Sequence, residues 1–96
     1  MSDRSATRKV TVLNPAGLHA RPSLAVVQAV RGSQSKVEVR TTRQTVDAGD
    51  ILQLLGLGAA CGTELVFSAT GPDAEEVINQ LADLFTNRFG LCGDPS

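Results

Sequence analysis

The only histidine of the chain, His19, lies in the short stretch GLHARP, where Arg21 follows it by two positions. A neutral imidazole nitrogen is a nucleophile near pH 7, and a guanidinium can hold phosphate oxygens in a bidentate arrangement. The two side chains therefore suit phosphoryl transfer through a phosphohistidine. Composition and spacing alone favour a plainer interpretation, in which His19 is a loop or capping residue and Arg21 is an ordinary surface arginine.

The elements predicted around His19 support the chemical interpretation. Gly17 allows the backbone an unusual conformation beside the ring, and a helix is predicted from Ala20 to about Arg31, with Pro22 in its first turn. A helix start offers unpaired N–H groups and a positive field, which bind phosphate and disfavour protonation of the ring. Because no carboxylate lies close in sequence to orient the ring, a hydrolytic triad is not indicated.

The rest of the sequence predicts the strands and helices that must hold the start of the first helix in place. Alternating, β-branched stretches predict strands at 8–13, 35–42, 45–46 and 62–71, and apolar residues at helical spacing predict two more helices after the first. Asp50 suits the start of a short second helix, and Asp73 with Glu76 forms a capping-box pattern before the third. The order β-α-β-β-α-β-α predicts an α+β, two-layer open-faced sandwich, with a four-stranded antiparallel sheet covered on one face by three helices.

Length and composition exclude several classes of protein. The 96 residues predict one domain, with a core over about 8–89 and flexible tails at 1–7 and 90–96. A net charge of −1, with no Trp or Tyr and three Phe, argues against a nucleic-acid binder. No apolar run approaches the roughly 20 residues that span a bilayer, and no secretory signal is present. We therefore expect a cytoplasmic protein without membrane insertion.

The two cysteines, Cys61 and Cys92, are not spaced as metal ligands, and one histidine does not complete the set of about four that a zinc site needs. No metal or cofactor is expected. Cys61 is interpreted as a small turn or core residue, and Cys92 falls in the C-terminal tail.

Four stretches of the chain carry a resemblance to a known family. They read NPAGLHARPSL, VDAGDILQLLGLG, CGTELVFSATG and DAEEVINQLADLF. From about Arg8 to Phe89 the chain resembles HPr, the histidine-containing phosphocarrier of the bacterial phosphoenolpyruvate-dependent sugar phosphotransferase system. The resemblance implies the HPr fold and a carrier rather than an enzyme, one that takes a phosphoryl group from phosphorylated enzyme I and passes it to a sugar-specific enzyme IIA.

The resemblance also implies roles for the residues of GLHARP. His19 matches the histidine that is phosphorylated on Nδ1, and Arg21 matches the arginine that contacts the phosphoryl group. Gly17 matches the loop glycine beside the histidine, while Pro22 and the backbone around Ala20 complete the helix start that binds the phosphate.

In this family the partner enzymes dock on the starts of the first two helices. The matching residues are Ala20, Leu24, Ile51, Leu52 and Leu55. Some of these are expected to be ordinary core residues. However, four apolar side chains at 51, 52, 54 and 55 wrap most of the way around a short helix, so at least one or two should be exposed. The carrier is expected to be a monomer.

The charges around this surface differ from those of many relatives. Gln28 and Gln53 occupy positions where some relatives carry Lys, which leaves Arg21 and Arg31 as the main nearby charges. Asp50 occupies a position where many relatives carry a serine that a kinase phosphorylates, so the seryl switch should be missing. Asp50 is either a plain helix cap, which we favour, or a weak and permanent mimic of phosphoserine.

Three functions remain open from the sequence. The leading one is a phosphocarrier for sugar uptake. The second is a regulatory HPr paralogue, in a nitrogen-related or truncated pathway, whose phosphorylation state controls a partner protein. A self-contained enzyme ranks last, because one His and one Arg do not make a complete active site.

Overall fold

Seven elements follow one another in the predicted order in a computed structural model that describes residues 4–13 and 20–86. They are β1 (Arg4–Thr11), α1 (Ala20–Arg31), β2 (Lys36–Arg40), β3 (Thr45–Asp47), α2 (Ile51–Gly56), β4 (Glu64–Gly71) and α3 (Ala74–Thr86).

The strands form one sheet in the order β1-β4-β2-β3, with every neighbouring pair antiparallel. The first and last long strands therefore lie side by side, and Arg4 is paired with Gly71 at one end and Thr11 with Glu64 at the other. This arrangement confirms the predicted fold class, a four-stranded antiparallel sheet with three helices.

The core lies between one face of this sheet and the helices. Because side chains alternate across a strand, Val37 and Val39 of β2 are buried while their neighbours are exposed. The ring of Phe67 in β4 packs against the ring of Phe85 in α3, with their centroids 5.6 Å apart. Burying each large apolar side chain stabilises the fold by roughly 1.5–3 kcal/mol. The helices contribute further large buried side chains, among them Val26, Leu54, Val77 and Leu81.

β1 begins four residues earlier than the sequence pattern predicts. Residues 4–7, assigned to a flexible tail from the sequence, are paired with β4. At the other end the strand stops at Thr11, although Val12 still donates to the Thr63 carbonyl (2.9 Å) and accepts from the Gly62 N–H (2.8 Å). The polar start of β1 shows little alternation, so the sequence pattern does not reveal it as a strand. The length of the partner strand β4 decides how far this edge strand is paired.

The capping box predicted at the start of α3 is not formed. The Asp73 carbonyl accepts from Val77 N (3.0 Å), so Asp73 does lie at the start of the helix. Its carboxylate, however, accepts from Gln34 N at 3.0 Å and from the Ser35 hydroxyl. The side chain therefore ties the helix start to the loop after α1, and the capping-box prediction was wrong.

Cys61 lies exposed in the turn before β4, with its Sγ 3.8 Å from the Leu13 carbonyl oxygen, which confirms the turn rather than the core alternative. Cys92 is outside the described residues. Within the described ranges, no helix is long and apolar enough to cross a membrane. The same ranges contain no group of three or more His, Cys, Asp or Glu side chains that could hold a metal ion.

Candidate functional site

Of the predicted chemical residues, Ala20, Arg21 and Pro22 lie in the first turn of α1. His19 and Gly17 lie outside the described residues, and the description resumes at Ala20, the first residue of the helix. Pro22 is buried in the first turn, as predicted, where its missing N–H leaves no helical hydrogen bond unmade. Arg21 is exposed beside it. Its guanidinium is thus accessible from solvent, two positions after His19 in the sequence.

The helix is held in place by its opposite face. Val26, Val27 and Val30 are buried against the rest of the core, while Leu24 and Gln28 are exposed. The apolar periodicity of α1 therefore fixes which side of its first turn meets solvent, and Ala20, Arg21 and Leu24 all lie on the solvent side.

The start of α2 is capped by Asp50. Its backbone is extended (φ −118°, ψ 111°), and its Oδ1 accepts from Leu52 N at 3.0 Å and from Gln53 N at 3.4 Å. The Asp50 carbonyl accepts from Leu54 N (3.0 Å) as the first hydrogen bond of the helix. Asp50 thus satisfies two N–H groups that a helix start otherwise leaves unpaired, which confirms its predicted place as the cap.

Gln53 extends this cap back to the sheet. Its Nε2 donates to Asp50 Oδ2 (3.2 Å), and its Oε1 accepts from Asp47 N (2.9 Å) at the end of β3. From the sequence, Gln53 was noted only as a position where some relatives carry a lysine. The available signal was the Asp-x-x-Gln spacing, which is typical of a capping box, although here the glutamine amide bonds a strand residue rather than the backbone of the cap.

The loop between β3 and α2 is held from a second direction. Gly49 N donates to Asp47 Oδ1 (2.8 Å), and the Gly49 carbonyl accepts from Arg31 Nε (3.1 Å). Arg31, the last residue of α1, therefore connects the first helix to the loop that precedes the second. Arg31 therefore has a structural role in addition to supplying positive charge near the surface.

Three of the predicted docking residues are large apolar side chains left in solvent. Leu24 is 49% exposed, Leu52 76% and Leu55 38%, whereas Leu54 between them is fully buried. Ile51 is half-buried and packs against the core, and Ala20 is exposed. The sequence expectation that one or two of the apolar residues of α2 would be exposed is confirmed. We call Ala20, Leu24, Ile51, Leu52 and Leu55 the docking face, after the role that the sequence predicts for them.

Comparison with known proteins identifies the family. A family model described as PTS HPr component phosphorylation site matches residues 6–87. The chain is 37% identical over 82 residues to phosphocarrier protein HPr of Treponema pallidum, covering 85% of this chain and 93% of that protein. It is 32% identical to phosphocarrier protein NPr of Escherichia coli, covering 83% of this chain and 90% of the relative.

A solved structure agrees with these matches. The crystal structure of HPr from Thermoanaerobacter tengcongensis superimposes with a TM-score of 0.85 at 34% identity, covering 88% of this chain and 96% of the other. The chain therefore belongs to the HPr family, the phosphocarrier proteins of the phosphotransferase system.

Proposed function

We propose that the protein accepts a phosphoryl group on His19 from phosphorylated enzyme I and passes it to an enzyme IIA. The observation that carries this proposal is the GLHARP motif, whose last three residues begin α1, inside a family match that spans residues 6–87. The protein is proposed to act as a single-domain monomer in the cytoplasm, and its transient phosphohistidine makes it a relay between two enzymes.

In the transfer step, the lone pair of His19 Nδ1 attacks phosphorus while the bond from phosphorus to the donor enzyme breaks. The phosphoryl group then leaves His19 by the reverse step, when a nucleophile of enzyme IIA attacks it. The exposed Arg21 guanidinium and the N–H groups at the start of α1 are proposed to stabilise the charge on the equatorial oxygens. Gly17 and Pro22 are proposed to allow the backbone to bring these donors to the phosphoryl group.

The docking face is proposed to bind both partner enzymes in turn. Leu24, Leu52 and Leu55 expose apolar surface without a partner in the described part of the chain, and such surface is typical of a protein–protein contact. Because enzyme I and enzyme IIA would use the same face, each must leave before the other binds, which suits a shuttle.

Mass spectrometry of the intact protein tests the central step. Incubation with phosphoenolpyruvate and the cognate enzyme I should add one acid-labile phosphoryl group to the wild type and none to His19→Ala. A wild type that stays unmodified, with an enzyme I that phosphorylates itself, would overturn the proposal.

The same assay tests Arg21. Arg21→Ala should keep its circular dichroism spectrum, since the side chain is exposed, while phosphoryl transfer becomes slower. An unfolded variant would show that Arg21 acts in the structure and not on the phosphoryl group.

A regulatory carrier is the second candidate, and Asp50 is the observation that favours it. One of the relatives is a phosphocarrier named NPr, and Asp50 places a permanent carboxylate where a modifiable serine would lie. An aspartate is not a substrate for a seryl kinase, so control at that position would be absent. Genes for sugar-specific IIA, IIB and IIC components in the same genome would favour the transport role, and their absence would favour regulation.

Replacing Asp50 with Ser separates a plain cap from a phosphoserine mimic. Serine is also a good helix cap, so we expect transfer from enzyme I to become no faster. A clear rise in that rate would show that the carboxylate weakens docking, as a mimic should.

A further inference from the structure

The amide of Gln53 makes the only side-chain hydrogen bond between β3 and α2 in the described residues. It accepts from Asp47 N at 2.9 Å and donates to Asp50 Oδ2 at 3.2 Å, so a single side chain joins the strand end to the helix cap. The two bonds use opposite ends of the amide, its oxygen and its nitrogen. Neither a carboxylate nor an ammonium can make both bonds.

A short helix needs such support. α2 has six residues, fewer than two full turns, and only Leu54 of the helix is fully buried. With so little apolar burial, the direction of α2 depends on its start, where the bonds of Asp50 and Gln53 are concentrated. A loss of these bonds would let the helix fray or rotate rather than unfold the protein.

The residues whose position depends on this direction are Leu52 and Leu55. Leu52 immediately precedes Gln53, and Leu55 follows it by two positions. Both are exposed, at 76% and 38%, so neither is fixed in one orientation by full burial in the core. Their arrangement for a partner must come from the backbone of α2.

We propose that Gln53 is a positioning residue for partner docking: by joining Asp47 to Asp50, its amide holds α2 in the orientation that presents Leu52 and Leu55 to a partner protein. The proposal rests on the proposed function, because docking of enzyme I is the event it serves. Gln53 itself makes no contact with the phosphoryl group and acts through the helix.

The first test measures transfer from enzyme I as a function of carrier concentration. Gln53→Ala should raise the KM of enzyme I for the carrier about threefold to tenfold, as expected for the loss of one or two modest hydrogen bonds, and leave kcat within about twofold. The matched control is Gln80→Ala, because Gln80 is an exposed glutamine on α3, away from the docking face. An unchanged KM in Gln53→Ala, or the same rise in Gln80→Ala, would overturn the proposal.

A charged variant tests the contact with Asp50. Gln53→Glu keeps an acceptor for Asp47 N but places a carboxylate beside Asp50 Oδ2. It should raise KM at least as much as the alanine variant, and Asp50→Ser in the same protein should remove part of that rise. If Asp50→Ser leaves the rise intact, the amide does not act through Asp50.

Amide hydrogen exchange gives a measurement that does not depend on transfer. The N–H groups of Leu52 to Leu55 should exchange faster in Gln53→Ala than in the wild type, while those of β4 and α3 stay unchanged. Unchanged exchange in α2 would overturn the positioning role even if the KM of enzyme I for the variant rises. A wild type that takes up no phosphoryl group would instead overturn the proposed function, and the exchange result would still decide whether Gln53 positions the helix.

Discussion

Two helices of this protein begin directly after an aspartate, and the two aspartates act differently. Asp50 accepts hydrogen bonds from Leu52 and Gln53, which belong to the helix it starts. Asp73 accepts instead from Gln34 and Ser35, which lie 39 and 38 residues away in the sequence. One carboxylate therefore completes a local element, and the other ties two distant parts of the chain together.

The difference follows from how each helix is otherwise held. α3 has thirteen residues and buries an apolar stripe that includes Val77, Leu81 and Phe85, so its packing stabilises it without help from a cap. α2 has six residues and buries one side chain fully. A short helix with little core contact needs its capping bonds, whereas a long, well-packed one leaves its first carboxylate available for a tertiary contact.

The neighbourhood of Asp73 is also the more tightly packed of the two. Gly71 is buried with φ +153°, a conformation that side-chain-bearing residues rarely adopt, and a Cβ there would lie 2.5 Å from Ser35 Oγ. The Ser33 hydroxyl donates to the Val30 carbonyl (2.6 Å) and shapes the same loop. The loop after α1 is therefore held against the end of β4 as well as against Asp73.

The largest expected effect comes from adding one methyl group to this packed region. Gly71→Ala should destabilise the protein by roughly 2–4 kcal/mol, because the new Cβ meets Ser35 and the backbone is strained. Urea unfolding measures the change. Gly58→Ala is the matched control: its φ is also positive (+61°), but a Cβ there has open space, so its loss should be only about 1 kcal/mol. Equal losses would show that packing against Ser35 contributes nothing.

The next effect depends on pH. The Ser35 hydroxyl bond, and after it the Gln34 N–H bond, lower the pKa of Asp73 below its ordinary value of 3.8. A carboxyl with a depressed folded-state pKa stabilises the protein fully above the unfolded-state value, and this contribution is lost as the pH falls through the folded-state pKa. Asp73→Asn should therefore be less stable than the wild type near neutral pH, and the gap should close as the solution is made acidic.

Urea unfolding of both proteins at a series of pH values checks this expectation. A gap that stays constant down to pH values well below 3.8 would contradict it, since the ionised carboxylate would then have no special part in the contact.

The smallest expected effect is at the other aspartate. Asp50→Ala should cost about 1 kcal/mol, the usual loss for a helix cap, and Asp50→Ser only a few tenths, because serine also caps. Since the contact is local, the change should be confined to α2, with the remaining elements equally protected from amide exchange. A serine variant as unstable as the alanine one would show that the bond from Gln53 to Oδ2, and not the cap, is the important contact.

The sequence by itself determined the order of the elements, the face of α1 that is buried and the start of α2. These are properties of short stretches: apolar residues at a spacing of three or four, and an aspartate before a helix. It also determined the family, because the GLHARP motif and its downstream stretches occur at the family's spacing. Of the candidate site, it predicted the exposed face of α2 in outline, since four apolar residues in a short helix exceed what one buried face accommodates.

The tertiary structure decided what depends on residues distant along the chain. It paired residues 4–7 with the end of β4, selected Leu54 among the apolar residues of α2 for the core, and placed Asp73 against the loop at 33–35. It also brought the Gln53 amide to Asp47 and Asp50. A polar side chain has several possible partners of similar energy, both near and far along the chain. The packing of the other elements determines which of them it contacts.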